Sequence, residues 1–254
     1  GWIVAAGAAF PVVALTLLLV YTFSVAADMG RDARGPAALR IEVTGLMWWW
    51  RVRYLDAAGQ TLLETANEIH IPAGQPVDLH LVSQDVPHSF WVPSLAGKLD
   101  MIPGQSKRLR LQAQAPGVYR GQCAEFCGMQ HAKMALLVVA LPPPEYAQWL
   151  AQRRQPATPP ADAQALRGQV LFAQARCALC HTVRGTGAQG LRGPDLTHVG
   201  SRLRLAAGEL PGGPAGLAAW IGGTQHIKPG SLMPAYRLGD EDLRALVAYL
   251  EGLR

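Results

Sequence analysis

The sequence predicts a multidomain chain with a membrane-spanning helix, an all-β sandwich or Greek-key barrel, and a small all-α domain, in that order. Three observations predict this arrangement. Residues 1–27 carry no charged side chain. Residues 38–141 contain short runs in which apolar and polar residues alternate, and from residue 162 the apolar period becomes that of a helix. Residues 142–161 separate the two folded parts and are rich in proline.

The first segment, GWIVAAGAAFPVVALTLLLVYTFSVAA, is long enough to cross a bilayer, because a spanning helix needs about 20 apolar residues. A secretory signal has a basic start and an apolar stretch of only about 7–15 residues. This segment has no basic residue and is longer, so we expect a retained membrane helix. Three arginines follow within DMGRDARGPAALR and mildly favour the cytoplasmic side for that end.

The second part predicts many short strands. RIEVTGL, WRVRYL, PVDLHLVS, KRLRLQA and MALLVVA are separated by turn signals such as PAGQP and IPGQ. Strands at this spacing are typical of a sandwich or Greek-key barrel. The following LPPPEYAQWLAQRRQPATPPADA has proline clusters at both ends, which indicates a semi-rigid linker with room for one helical turn in its middle.

The third part, residues 162–254, predicts helices at both ends of a segment rich in glycine and proline. Asp162 is expected to cap a helix that runs to about Ala175. The last helix begins in DEDLRALVAYLEGLR, whose acidic start suits a helix N-terminus. The residues expected to face the core are Leu166, Val170 and Leu171 in the first helix, and Leu243, Leu246, Val247 and Leu250 in the last.

The charge distribution argues against nucleic-acid binding. The net charge is +5, and residues 38–141 carry nine basic against eight acidic side chains. Residues 162–254 carry ten against seven. No basic block stands out, so we expect no nucleic-acid partner.

The CALCH motif, from Cys177 to His181, has the C-x-x-C-H spacing of covalent haem attachment. Five residues also arise by chance or as half of a zinc site. The motif lies at the end of a predicted helix and about 50 residues before KPGSLMPAY, which favours haem. Met233 in that loop is then the expected sixth iron ligand, and a Met/His pair raises the iron potential as an electron carrier requires.

The CAEFCGMQHAKM motif places two thiols, an imidazole and a thioether within twelve residues. A disulfide would leave His131 and Met134 unexplained, and zinc has little use for a thioether. Thiolate, imidazole and thioether together select copper. A mononuclear copper site needs one cysteine, two histidines and a weak methionine, so it would use Cys127 and leave Cys123 over. Two thiolates that bridge two copper ions use both cysteines and every other ligand. A second histidine is then required, and QDVPHSFWVPSL supplies His88.

These patterns resemble two known families. HSFWVPSL with CAEFCGMQHAKM resembles the CuA domain of subunit II of the haem–copper oxidases, and the match covers residues 1–141 with VTGLMWWWRVRYL and GKLDMIPGQ. CALCHTVRGTGAQGLRGPDLTHVG, IKPGSLMPAY and LVAYLEGL resemble a class I cytochrome c over residues 165–254. The whole resembles a cytochrome c oxidase subunit II with a fused C-terminal cytochrome c, of the caa3 type.

The resemblance implies a fold and a set of ligands. It implies a cupredoxin barrel that carries dinuclear copper and a cytochrome c domain that carries one haem. The Glu125 carboxylate would also reach a magnesium ion shared with subunit I, and Trp48 matches the position where electrons enter CuA. Packing of that aromatic at the membrane interface is the alternative for Trp48. The implied copper ligands are the side chains of His88, Cys123, Cys127, His131 and Met134 with the backbone carbonyl of Glu125, and the implied haem residues are Cys177, Cys180, His181 and Met233.

For other polar residues the sequence predicts no specific functional role. Asp85, Lys98 and Asp100 lie in segments that resemble the family, but solvated loop charges are equally expected there. His70 lies in a strand-like run without partner ligands, so a surface or satisfied barrel position is expected. His198 receives no assignment.

The implied function is that of the electron-accepting subunit of a respiratory terminal oxidase. Electrons would pass from an external donor, cytochrome c or similar, through haem c to CuA, and on through the Trp48 region to haem in subunit I. Oxygen reduction to water with proton translocation would take place there, since no oxygen-binding site is visible in this chain. Fusion would raise the effective concentration of the donor domain to about the mM range if the linker is flexible.

Location and partners follow from the same resemblance. Covalent haem attachment takes place outside the cytoplasm, which outweighs the three arginines and implies a bacterial inner-membrane protein with periplasmic domains. Subunit I and other membrane subunits are the expected partners. Subunit II normally has two membrane helices, so either a first helix precedes Gly1 or this form lacks it.

Two other functions stay open from the sequence. One is a subunit of a CuA-containing nitric oxide reductase, which shares these motifs. The other is a stand-alone membrane-anchored electron carrier. The WWW run argues against it, because three tryptophans beside the membrane indicate a permanent partner surface.

Overall fold

The structure, a computed structural model, describes residues 1–32 and 39–254, with residues 28–32 described by their backbone only. Arg31 and Arg34, two of the three arginines considered for membrane orientation, fall outside the described side chains.

The N-terminal part is one helical stretch. It consists of α1 (Trp2–Val4), a π-helical segment (Ala5–Ala9) and α2 (Phe10–Asp32). Within it, Trp2–Ala27 has a mean hydropathy of 2.5 and is long enough to cross a membrane. None of that stretch is buried against protein, as expected for side chains that face lipid.

From Leu39 onward the described chain forms one compact unit, whose first part is a sandwich of two five-stranded sheets. One sheet has the order β3-β2-β1-β5-β8, and the other has the order β4-β10-β9-β6-β7. The strands are β1 (Leu39–Leu46), β2 (Trp49–Leu55), β3 (Thr61–Ala66), β4 (Glu68–Pro72), β5 (Val77–Ser83), β6 (His88–Trp91), β7 (Leu99–Met101), β8 (Lys107–Leu111), β9 (Gly117–Cys123) and β10 (Ala135–Leu141).

Strand pairing and residue alternation place the core between the two sheets. β1 runs parallel to β5 and β10 runs parallel to β4, whereas the other pairs are antiparallel. In β1 the alternate residues Ile41 and Val43 are fully buried, and Trp50 and Phe90 meet edge to face between the sheets at 5.9 Å. All five sequence runs that predicted strands form strands here, namely β1, β2, β5, β8 and β10.

The proline-rich segment is more ordered than the sequence predicted. It contains α3 (Pro143–Arg153), eleven residues long, with prolines in its first turn, where their missing N–H groups are not needed. Tyr146 is buried against the barrel, and Trp149 stacks on His70 with ring centroids 4.2 Å apart. Burial lowers the pKa of His70 to about 3, so the ring is neutral and belongs to the packing of this helix.

The C-terminal part packs three helices around its own core. These helices are α4 (Ala163–Gln174), α5 (Pro214–Ile227) and α6 (Asp240–Gly252), and between them lie the short strands β11 (Thr182–Val183), β12 (Ala188–Gln189), β13 (Arg204–Leu205) and β14 (Leu210–Pro211). The predicted cap is confirmed, because the Asp162 carboxylate accepts the Ala165 N–H at 2.8 Å. The apolar face of α6 is also confirmed, with Leu246, Val247 and Leu250 buried.

The predicted inward face of α4 is wrong in part. Leu166 and Val170 are 54% and 49% exposed, whereas Ala165, Gly168 and Phe172 are buried. The reason is the close approach of α4 to α6. A Cβ at Gly168 would lie 2.0 Å from the Ala245 carbonyl oxygen, so the contact face requires a residue without a side chain.

We expect Gly168→Ala to destabilise the C-terminal domain by about 1–3 kcal/mol, because the added methyl forces the two helices apart. The measurement is thermal unfolding followed by circular dichroism. Gly222→Ala in α5 is the matched control, since a Cβ there meets nothing within 4 Å and helix propensity improves. Equal unfolding temperatures for the two variants would contradict this account of the helix crossing.

Candidate metal centre and haem pocket

The sulfur and imidazole side chains predicted to bind copper come together at one end of the sandwich. His88 is the first residue of β6, and Cys123 is the last residue of β9. Cys127, His131 and Met134 lie in the connection from β9 to β10, which includes a short 3₁₀ turn at His131–Lys133. Backbone bonds between Cys123 and Met134, and between Ala124 and Ser89, close this connection against the sheet.

The donor atoms lie within a few ångströms of one another. Three of them, from His88, Cys123 and Cys127, lie within 4.8 Å of each other and belong to buried residues. The distances are Cys123 Sγ to Cys127 Sγ 3.7 Å, Cys123 Sγ to His88 Nδ1 3.8 Å, Cys127 Sγ to His131 Nδ1 3.6 Å, Cys127 Sγ to Met134 Sδ 3.8 Å, and Cys123 Sγ to the Glu125 carbonyl oxygen 3.2 Å.

The two thiols are free and electrostatically coupled. Their sulfurs are much farther apart than the roughly 2.05 Å of a disulfide bond. Hydrogen bonds with Cys127 and His88 lower the pKa of Cys123, against the effect of burial. The resulting thiolate raises the pKa of Cys127, because a second negative charge beside it is unfavourable. The pair therefore requires positive charge from outside before both sulfurs ionise.

His88 is oriented by Asp85, for which the sequence left both a family role and a solvated loop charge open. Its Nε2 lies 2.8 Å from the Asp85 carboxylate, which leaves Nδ1 directed toward Cys123. Burial opposes ionisation of Asp85, but hydrogen bonds from His88, Met47 N and Val86 N lower the pKa of that carboxyl. The ring also packs on bare backbone, since a Cβ at Gly45 would lie 2.7 Å from His88 Cδ2.

The predicted haem residues line one cavity of about 300 Å³, whose wall comes mostly from the C-terminal domain and partly from the barrel. Cys177, Cys180, His181 and Met233 all contribute to its wall. Much of the remaining wall is apolar and includes Leu196, Val199, Leu205, Leu217, Ile221 and Leu250.

His181 is held in one orientation at the edge of this cavity. Its Nδ1 lies 2.7 Å from the Pro194 carbonyl oxygen, so Nε2 remains available as a ligand atom. Burial lowers the pKa of His181, which keeps the ring neutral. A Cβ at Gly193 would lie 2.6 Å from His181 Cε1, so glycine is required where this loop crosses the ring.

Trp48 lies between the cavity and the sulfur cluster. It lines the cavity together with Cys177, His181 and Met233, and its Nε1 donates to the Cys127 carbonyl oxygen at 2.8 Å. The two halves of the compact unit therefore meet at this residue.

The donor set of each site fits the group that the sequence implied for it. Buried, coupled thiols with imidazole and thioether donors suit copper, and zinc would gain nothing from Met134. An apolar cavity with two cysteines and a His/Met pair suits covalent haem. The Glu125 carboxylate lies 4.0 Å from Lys98 Nζ, which also contacts Asp100 at 3.3 Å.

Sequence reasoning missed the groups that orient the ligands. Asp85 lies three residues before His88, a spacing that could have suggested a carboxylate–histidine pair. Gly45 and Pro194 gave no signal, because their contributions are a missing side chain and a backbone carbonyl from distant segments.

This chain is similar in sequence to known proteins over both of its folded parts. The profile of the cytochrome c oxidase subunit II periplasmic domain matches residues 48–141, and the cytochrome c profile matches residues 165–254. Cytochrome c oxidase subunit 2 of Alkalihalophilus pseudofirmus is 38% identical over 96% of this chain and 71% of its own length. The Bacillus subtilis subunit 2 is 30% identical over 96% of this chain and 72% of its own length. The crystal structure of the periplasmic domain of cytochrome oxidase subunit II from Bradyrhizobium japonicum is 27% identical over 47% of this chain and 96% of that one, with a TM-score of 0.44.

A cupredoxin-like domain joined to a cytochrome c domain, behind an apolar helix that fits a membrane span, defines a membrane-anchored electron-transfer protein. The match to the subunit II domain implies copper as a cofactor, and the match to cytochrome c implies haem c. The chain belongs to the cytochrome c oxidase subunit II family, whose members are parts of an oxidoreductase complex.

We expect Asp85→Asn to weaken copper binding by about 10- to 100-fold, because the ring of His88 loses the charged acceptor that fixes its orientation. Copper retention against a competing chelator measures this loss. Asp56→Asn, in a turn of the same domain, is the control and should retain copper normally. Equal retention in both variants would show that Asp85 is a solvated loop charge.

Proposed function

We propose that the chain passes electrons from an external donor to haem c in its C-terminal domain, then to a dinuclear copper centre, and on to haem in subunit I. Subunit I then reduces oxygen to water with proton translocation, so the oxygen-reducing site lies outside this chain. The observation that carries this proposal is the position of Trp48, whose ring borders the haem cavity while its Nε1 bonds to the backbone of Cys127.

The proposed copper ligands are the side chains of His88, Cys123, Cys127, His131 and Met134 and the carbonyl of Glu125. Two copper ions held by both thiolates would share one electron, which keeps the ligand geometry nearly the same in both oxidation states. The chain itself supplies rigidity. Cys123 and His88 are anchored on paired strands, and Asp85 fixes the ring of His88.

The proposed haem residues are Cys177 and Cys180, which would form the thioether bonds, and His181 and Met233, whose side chains would bind the iron. Two backbone contacts support this assignment. Pro194 O fixes the ring of His181, and Gln225 Nε2 donates to Met233 O at 2.7 Å, which restrains the loop that carries the methionine.

Trp48 is better assigned to the path into copper than to the path out of it. The sequence suggested that electrons both enter CuA near Trp48 and leave through the same region. Because Trp48 lines the haem cavity and its Nε1 bonds to Cys127 O, we assign it to the step from haem to copper, and its role in the step to subunit I stays a prediction.

Contacts between the two domains support electron delivery by a C-terminal domain that is docked on the barrel. They argue against a C-terminal domain that moves freely on a tether. The Glu68 carboxylate of the barrel accepts the Leu203 and Arg204 N–H groups of the C-terminal domain at 2.7 and 3.0 Å. A Cβ at Gly208 would lie 2.8 Å from Ala135 Cβ, so these surfaces are in tight contact. A flexible linker would give the C-terminal domain an effective concentration of about the mM range at the copper site. Docking makes that value a lower bound.

Further partners follow from the family. We propose that subunit I and other membrane subunits bind the barrel, that the Glu125 carboxylate contributes to a magnesium ion shared with subunit I, and that the donor is a cytochrome c or similar protein. Both domains would lie on the periplasmic side of the bacterial inner membrane, where covalent haem attachment takes place. The names of the relatives support an oxidase over the nitric oxide reductase alternative.

The cofactor assignment predicts two copper ions and one haem c in each purified chain, with an EPR signal from one electron shared by two coppers. Cys123→Ser should abolish the shared signal, because one bridging sulfur is lost, while haem content stays unchanged. Metal analysis with EPR measures both. A single zinc ion in the wild-type chain would refute the assignment.

The role of Trp48 predicts that Trp48→Phe slows electron transfer from haem to copper several-fold, since the indole N–H bond to Cys127 is lost. The rate is measured by flash-induced reduction of the purified chain, with copper and haem contents verified. Trp149→Phe, which alters an aromatic on α3 away from both sites, is the control. Equal rates in the two variants would remove Trp48 from the path.

A further inference from the structure

Lys228 is a buried lysine at the junction of the two domains. It follows α5 directly and is only 3% exposed. Its Nζ donates to three backbone carbonyls, those of Trp48 at 2.7 Å, Lys133 at 2.8 Å and Ala206 at 3.3 Å. Two of these acceptors belong to the barrel domain and one belongs to the C-terminal domain. All three N–H groups of the ammonium therefore have acceptors, and they bridge the interface.

The environment of this ammonium is unusual for a buried charge. Its three hydrogen-bond partners are neutral carbonyls, and the negative charge of Glu209 acts on it without a hydrogen bond between the two side chains. Burial lowers the pKa of Lys228 to about 8, so the side chain is still mostly protonated at neutral pH. A desolvated charge of this kind adds little net stability, but its hydrogen bonds are strongly directional. The arrangement therefore favours a role in geometry over a role in folding.

The connection from β9 to β10, residues 124–134 and here called the copper loop, also donates hydrogen bonds to the segment around Lys228. Lys133 Nζ donates to the Ile227 carbonyl at 2.6 Å, and Gln130 Nε2 donates to the Pro229 carbonyl at 2.8 Å. Lys133 lies between the proposed ligands His131 and Met134. Residues 227–229 and residues 130–133 thus exchange side-chain to backbone bonds in both directions.

The same segment continues to the proposed haem ligand. Gln225 Nε2 donates to the carbonyls of Ser231 at 2.8 Å and Met233 at 2.7 Å, and Gln225 Oε1 accepts the Gly230 N–H at 3.0 Å. One loop therefore contacts the copper loop at one end and carries Met233 at the other.

We infer that Lys228 is a positioning residue that locks the C-terminal domain onto Trp48 and the copper loop, so that the two sites are held at a fixed separation. The docked state is then the working state of the chain, and electron delivery requires no diffusive search by the C-terminal domain. The consequence for electron transfer rests on the function proposed above, whereas the lock itself is a property of the protein contacts.

The test compares Lys228→Met with the wild-type chain by hydrogen–deuterium exchange. The Leu203 and Arg204 amides bond to Glu68 across the same interface and report on docking without any electron transfer. Met fills similar space but leaves three buried carbonyls without a donor. We expect the ratio of undocked to docked protein to rise about 100-fold, and the exchange protection of these amides to fall at least tenfold.

The second readout is the rate of electron transfer from haem to copper as solvent viscosity is raised. The wild-type rate should not depend on viscosity, whereas Lys228→Met should give a slower rate that falls further in viscous solvent. A purely structural role would change unfolding temperature without creating this dependence. Arg244→Met, on the exposed face of α6, removes one positive charge from the same domain and is the control.

The outcomes separate the lock from the proposed electron path. Increased exchange with an unchanged rate would uphold the lock and contradict the path through this interface. Unchanged exchange at Leu203 and Arg204 in a correctly loaded Lys228→Met chain would overturn the lock. If that variant loses copper or haem, Lys228→Gln retains two N–H donors and is measured in the same way, with partial loss of protection expected.

Discussion

Two buried thiols lie close together at the end of the barrel, and the side chains around them are arranged for that pair. Cys123 and Cys127 hold their sulfurs 3.7 Å apart, a separation at which both do not ionise without added positive charge. Among the described residues, no lysine or arginine forms a hydrogen bond with either sulfur, whose partners are imidazole nitrogens, a thioether, a carbonyl and the other thiol. A metal pair with imidazole and thioether ligands meets that requirement, and the surrounding strands hold the donors where it would bind.

The connection between β9 and β10 joins this site to the second domain. It carries three of the sulfur and imidazole donors, and its backbone accepts bonds from Trp48 and from Lys228. A shift of the C-terminal domain would therefore pull on the loop that holds the copper ligands. The contact at Glu68 is distant from this loop in sequence and restrains the same interface at a second point. The two proposed cofactor sites thus depend on one another through protein contacts alone.

Much of this could be predicted from the sequence because the motifs are local. The spacing of Cys123, Cys127, His131 and Met134 brings donor atoms together through one loop, and the cap at Asp162 needs only four residues. Predictions failed where distant segments decide. Leu166 and Val170 looked like a core face, but the crossing at Gly168 turns the small residues of α4 inward. Lys228, which bridges the domains, lies in IKPGSLMPAY. In that motif the sequence indicates a function only for Met233. Its burial depends on two backbone carbonyls more than 90 residues away in sequence.

An anomalous-scattering map of the purified chain at the copper absorption edge would show directly whether Cys123 and Cys127 hold a pair of metal ions. We predict two adjacent metal peaks flanked by the sulfurs of Cys123 and Cys127, with no bond between those sulfurs. A single peak, or density that joins the two sulfurs at the roughly 2.05 Å of a disulfide, would contradict the account.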